Sequence, residues 1–156
     1  MSTMQVSRAV SDDDIIQQAL AVMENRMRYA SGPTLTKPEH VCSYLRLRLG
    51  ELEREVFAVI FLDSQHRLIS YQALFLGTLA ETSVHPREVV KLALKYNAAA
   101  VIFSHNHPSG HVEPSNSDIR ITKALQSALD MVGVRVLDHI VVSATSSTSF
   151  AERGLL

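Results

Sequence analysis

Two short runs of the chain contain no polar residue: Val56 to Leu62 and Ala98 to Phe103. A strand with one covered face alternates apolar and polar side chains, so a run that is apolar at every position belongs to a strand covered on both faces. Helices must then lie on both sides of one sheet, and the rest of the chain supplies them. Ser11 followed by Asp12, Asp13 and Asp14 reads as a helix start, a cap with an acidic first turn. Ile15, Ile16, Ala19, Leu20, Met23 and Met27 recur at helical spacing as far as Tyr29, and Ser31-Gly32-Pro33 ends the helix. Pro38 suits the first turn of a second helix carrying Val41, Leu45 and Leu49. Glu55 opens the first strand, Asp63-Ser64-Gln65-His66 is turn chemistry, and Arg67 to Leu76 returns as a second strand. A helix over Pro86 to Tyr96, the second apolar run, a loop from Ser104 to Pro114, a helix from Ser115 to Met131 and a strand from Val134 to Ser143 follow. Phe150 is expected to tuck the short tail back. The pattern predicts an α/β fold, a mixed β-sheet flanked by helices, with residues 1–36 as an N-terminal helical extension on a domain over residues 37–156.

Composition narrows the function classes. A length of 156 residues fits one domain with a single sizeable core. Lys+Arg 15 against Asp+Glu 16 leaves a net charge of −1, whereas proteins that bind nucleic acid by charge neutralisation carry a basic surplus. Arg46, Arg48 and Arg54 cluster locally, but Glu51, Glu53 and Glu55 interleave with them as on a solvated mixed-charge face. Support for a nucleic-acid partner is therefore weak. The single cysteine, Cys42, cannot form an intrachain disulfide and reads as inert core, which suits a reducing compartment. Met1 to Arg8 lack a signal-peptide core, and no apolar run approaches a membrane span. A cytoplasmic protein without membrane contact is expected.

The chemistry concentrates between Ser104 and Asp118, where the chain leaves a buried strand and enters a helix. In α/β sheets, ligand sites tend to lie at that edge. His105 and His107 are two residues apart, so an extended backbone points both to one side. Asp118, in the first turn of the next helix, can fold back over the same place. Two imidazoles and a carboxylate are a ligand set that Zn²⁺ accepts, with a fourth tetrahedral position left for water, as in catalytic sites. Mn²⁺ and Fe²⁺ also accept such N/O donors. Ser115-Asn116-Ser117-Asp118 fits a helix capping box as well, which accounts for Ser115 and Asp118 without a metal but for neither histidine. His111 reads as loop surface, and His40 and His66 as helix and turn surface. His85 shapes a helix start, with a role near the cleft left open. His139 reads as a satisfied sheet residue, a contact behind the site being the alternative. Asn106 and Ser109 are expected to fix the loop through side-chain hydrogen bonds to backbone.

His105-x-His107, seven residues, Ser115, two residues and Asp118 resemble the JAMM signature of JAB/MPN-type metalloproteases. The stretch from Val84-His85-Pro86-Arg87-Glu88 through His105 to Gly110 and on to Asp138-His139-Ile140 resembles the RadC (UPF0758-like) family. The similarity runs from Leu45 to Leu156, as in a short form without the helix-hairpin-helix region. It implies a cytidine-deaminase-like JAB/MPN architecture with His105, His107 and Asp118 as ligands of one zinc ion. It further implies that Ser115 orients or stabilises the oxygen of a tetrahedral intermediate. A glutamate at the start of the first strand acts as general acid/base in the family; Glu55 matches it, with Glu53 a competitor of the same strand parity. The implied activity is hydrolysis of a peptide or isopeptide bond in a peptide or protein substrate. A DNA-repair-associated or mobile-element accessory role, with the domain as a zinc-bound scaffold, is the alternative. Specificity is expected from the loops Thr78 to His85 and His111 to Pro114.

Overall fold

A computed structural model describes residues 9–29, 37–77 and 84–156. Its elements run α1 (Asp12–Tyr29), α2 (Pro38–Leu49), β1 (Val56–Leu62), β2 (Leu68–Leu76), α3 (Pro86–Lys95), β3 (Ala100–Asn106), α4 (Asn116–Asp130), β4 (Arg135–Val142) and β5 (Ser147–Ser149). The five strands form one sheet in the order β2-β1-β3-β4-β5. β3 and β4 run parallel, joined by the α4 crossover, and the other neighbours are antiparallel, so the sheet is mixed as expected.

The two apolar runs sort their side chains by parity. Val56, Ala58, Ile60 and Leu62 pack with Leu20, Met27, Leu45 and Leu49 of α1 and α2. Phe57, Val59 and Phe61 pack on the opposite face with Val89 and Ala93 of α3 and with Leu125 and Leu129 of α4. The sheet is thus the middle layer of three. α1 enters the core directly through buried Leu20 and Met27, and the Tyr44 hydroxyl of α2 donates to Glu24 at 2.7 Å. The expected boundary between residues 36 and 37 abuts residues 30–36, which lie outside the described residues with the Ser31-Gly32-Pro33 stop. Residues 1–8 and the loop positions 78–83 lie outside them too.

Turn chemistry works at β1–β2 as the sequence suggests. Asp63 Oδ1 accepts from the backbone of Gln65 at 2.9 Å and of Arg67 at 2.8 Å, while His66 takes a positive φ of 59°.

One expectation is corrected. Ser104, His105 and Asn106 are not loop but the last residues of β3, and all three are buried. The strand continues because partners stand on both sides: His105 lies opposite Phe57 of β1, and Asn106 opposite Val142 of β4. Each polar side chain there has a partner, beginning with Ser104 Oγ, which donates to the Ile140 carbonyl at 2.7 Å.

The tail turns back as expected. β5 pairs with β4, and fully buried Phe150 stacks on the His139 ring with centroids 4.6 Å apart. Phe150→Ala should therefore lower unfolding free energy by about 3–5 kcal/mol in urea titrations. A solvent-facing tail would change it by less than about 0.5 kcal/mol.

Candidate metal centre

The end of β3 and the start of α4 meet at one corner of the sheet. His105 is the last residue but one of β3, and His107 follows just beyond the strand's end, so the extended backbone directs both rings to the same side. Their Nε2 atoms are 2.9 Å apart. Asp118 Oδ2 stands 3.3 Å from Nε2 of His105 and 3.4 Å from Nε2 of His107. Bonds of about 2.0–2.1 Å at tetrahedral angles place neighbouring zinc donors about 3.3–3.4 Å apart, so the two edges to Asp118 match one tetrahedral face and the edge between the histidines is shorter.

Asp118 is aimed by its helix cap. The Ser115 side chain accepts from the Asp118 N–H at 3.0 Å, and the Asp118 carboxylate accepts from the Ser115 N–H at 2.8 Å. That is the capping box read from the sequence. It coexists with the ligand geometry because the same oxygen, Oδ2, that closes the box faces both imidazoles. The cap and the contact with the histidines are one arrangement.

The chemistry of the donors fits a cation. His107 Nδ1 lies 2.7 Å from the His111 carbonyl, which can only accept, so Nδ1 carries hydrogen and neutral His107 turns a lone pair inward. Burial acts to raise the Asp118 carboxyl, but the His105 and His107 imidazoles outweigh it and hold the group far below the usual carboxylate range. The Asp118 carboxylate conversely raises His107, against partial burial.

Glu55 completes the cluster. It directly precedes β1, and its Oε1 is 3.8 Å from His107 Nε2. Glu55, His105 and His107 offer ligand atoms that all lie within 4.8 Å of one another. Glu53 is exposed and lines a groove with Leu52, Arg54 and Tyr71. Of the two candidate glutamates, Glu55 is the one brought to the histidines.

Asn106 holds Glu55 in place. Its Oδ1 accepts from the Val56 N–H at 2.7 Å, and its Nδ2 donates to the carbonyls of Arg54 at 2.9 Å and Leu52 at 3.2 Å. The side chain thus fixes the segment leading into β1 rather than its own loop, a contact 50 residues away in sequence. Ser109 does serve its own loop, accepting from the His111 N–H at 3.4 Å. His111 keeps an exposed side chain and contributes through its carbonyl.

The remaining candidates fall elsewhere. His40 is exposed, and His85 precedes α3 with its ring in a T-shaped contact with Phe75. Arg48 is not a solvated charge: it pairs with Glu24 and lies 4.5 Å over the Tyr71 ring. Burial pushes the Cys42 thiol up, as suits an inert group. His139 is fully buried directly behind His105, with 2.7 Å between His139 Nε2 and His105 Nδ1, and its far nitrogen meets Thr122. Thr122 was not singled out by sequence; its position one helical turn after Asp118 was the available signal.

Residues 35–155 match the family model described as the RadC-like JAB domain. The chain belongs to that family. Its relatives include a UPF0758 protein of Leptothrix cholodnii, 60% identical over 127 residues that make up 81% of this chain and 57% of that one. Two UPF0758 proteins of Vibrio cholerae serotype O1 are similar over nearly their whole lengths. One is 52% identical across 97% of this chain and 94% of its own, the other 51% identical across 99% and 97%. The chain therefore spans little more than half of some RadC-like relatives and almost all of others. The mixed five-stranded sheet with its helices is consistent with a JAB/MPN-type domain, and the His/His/Glu cluster is a group that could hold a metal ion. Among the described residues no helix is long and apolar enough to cross a membrane.

Two measurements test this geometry. In metal-free protein, depressed Asp118 contributes stability above its unfolded value near 3.8, lost as pH falls towards its folded value. Raised His107 contributes stability below its unfolded value near 6.5, lost as pH rises through its folded value. The melting temperature of metal-free protein should accordingly decline on the alkaline side of 6.5. His107→Gln should flatten that decline. Separately, Asn106→Ala should cost about 1–3 kcal/mol per group left unpaired. A melting temperature equal to wild type would contradict the assigned hydrogen bonds.

Proposed function

We propose that the chain is a metallohydrolase of the JAMM type, binding one zinc ion and cleaving a peptide or isopeptide bond in a peptide or protein substrate. The observation that carries this reading is the convergence of His105 Nε2, His107 Nε2 and Asp118 Oδ2 to within 3.4 Å of one another, with a carboxylate, Glu55, beside them. His105, His107 and Asp118 would hold the ion. When bound, an ion of this class supplies Lewis acidity, polarising a carbonyl and easing the ionisation of water near neutral pH.

The protein's own groups divide the remaining work. Glu55, half-buried at the mouth of the cluster, accepts a proton from the attacking water and delivers it to the leaving amine. Its backbone is held on both sides, the Val56 N–H by Asn106 and the Glu55 carbonyl by the Gly77 N–H at 2.8 Å, so the carboxylate starts from a fixed base. Ser115 is exposed at the helix start. Its oxygen accepts from the Asp118 N–H, which leaves the hydroxyl hydrogen free to donate to an oxygen that gains charge during attack. His107 sits at the boundary between this mouth and the buried pair His105 and Asp118, with 15% of its side chain exposed against 0% and 3% for theirs. A substrate carbonyl can therefore approach from the Glu55 and Ser115 side, while the two deepest groups stay dry.

The test is cleavage of defined peptide and isopeptide libraries by zinc-loaded protein. Glu55→Gln should retain zinc and lose turnover by about 10²-fold or more. His105→Ala should lose both. Stable zinc binding with no cleavage of any library member would instead support the scaffold reading.

A further inference from the structure

Behind the cluster runs a chain of hydrogen bonds that no part of the proposed mechanism uses. His105 Nδ1 lies 2.7 Å from His139 Nε2, His139 Nδ1 lies 2.6 Å from Thr122 Oγ1, and Thr122 Oγ1 lies 2.6 Å from the Asp118 carbonyl oxygen. His105, His139 and Thr122 are all fully buried. The imidazole of His139 stacks on Phe150 and meets the edges or faces of Phe57 and Phe103 at centroid distances of 4.6, 5.7 and 5.9 Å. A ring enclosed in this way has no water to support a positive charge and is neutral.

The direction of every proton follows from the far end. A backbone carbonyl has no hydrogen, so an oxygen pair 2.6 Å apart requires the Thr122 hydroxyl hydrogen between them; otherwise two acceptors would repel. With its only hydrogen committed, Thr122 Oγ1 must accept from His139, which places the His139 hydrogen on Nδ1. Neutral His139 then presents a lone pair at Nε2, and His105 must donate to it from Nδ1. His105 Nε2 is left without hydrogen, facing Asp118 and His107.

We infer that Thr122 and His139 are positioning residues that lock His105 in the Nδ1–H tautomer, so that its Nε2 lone pair is already directed into the metal cluster. The relay deepens the metallohydrolase reading and rests on it only for the consequence at zinc. Metal-ligating histidines commonly donate their outer N–H to a carboxylate or carbonyl. Here the acceptor is a second histidine whose own tautomer is set by a helix hydroxyl. Because Thr122 and Asp118 are one turn apart on α4, the helix that carries a ligand carboxylate also dictates the protonation of a ligand imidazole. Asp138 keeps the ring in register: its Oδ1 accepts from the His139 N–H at 2.7 Å and from the Ala151 N–H at 3.0 Å, tying β4 to the tail that carries Phe150.

Thr122→Val keeps shape and removes the hydroxyl; Thr122→Ser keeps the hydroxyl. Zinc affinity, measured by competition against a chromophoric chelator, should fall about 10–100-fold in Thr122→Val and stay close to wild type in Thr122→Ser. The second readout is the imidazole ¹⁵N spectrum of the wild type, which distinguishes Nδ1–H from Nε2–H directly. Hydrogen on Nδ1 of both His105 and His139 is expected. Wild-type zinc affinity in Thr122→Val, or hydrogen on Nε2 of either ring, would overturn the relay. If wild-type protein binds no zinc, the metallohydrolase reading falls alone. The ring spectrum then decides the relay by itself, upheld by Nδ1–H on both rings and overturned by any other pattern.

Discussion

Three electron-rich atoms without enough protons between them govern this molecule. His105 Nε2, His107 Nε2 and Asp118 Oδ2 face one another within 3.4 Å at a corner where two of the three side chains are nearly dry. Such a grouping is repulsive unless a cation or a shared proton resolves it. The surrounding structure accordingly supplies a fixed partner for each group. The His111 carbonyl holds His107, the His139 ring backs His105, and the Ser115 N–H binds the Asp118 carboxylate. Loss of any of these would free one of the three side chains to rotate away from the other two.

The fold makes the arrangement affordable in conformational terms because each of the three side chains sits on, or immediately beside, a regular element. His105 is anchored in a central strand between β1 and β4, and Asp118 in the first turn of α4, which packs on the same face of the sheet through Leu125 and Leu129. Glu55 approaches from a third direction, the start of β1, and Asn106 at the end of β3 binds that segment. Neighbouring positions on one strand thus serve opposite faces: His105 reaches the cluster with His107 and Asp118, and Asn106 reaches under it to hold the segment of the glutamate. The strand's period of two makes that division possible.

Much of this was legible from the sequence, and the limits have physical causes. The two fully apolar runs predicted a sheet covered on both faces, and parity sorted their side chains as such runs require. His-x-His and Ser-x-x-Asp were legible because both are local, set by the periods of strand and helix. The extent of β3 was not, since Ser104-His105-Asn106 is as polar as a loop and only its neighbours on both sides keep it extended. The capping box and the ligand set read as rival explanations of Ser115 and Asp118, although one carboxylate has enough lone pairs to serve both. His139 could be noted only as a contact behind the site. Its pairing with His105 crosses 34 residues and depends on the parallel register of β3 and β4, which local pattern does not encode. The reach of Asn106 to Leu52, Arg54 and Val56 is hidden for the same reason.

The central claim is that this corner is a metal site. Elemental analysis of purified wild-type protein beside the His105→Ala/His107→Ala double variant tests it most directly. About one zinc per folded wild-type chain and none in the variant is the result the account predicts. A folded wild type with no stoichiometric metal after zinc is supplied would contradict it, and would reduce Ser115 and Asp118 to a helix cap.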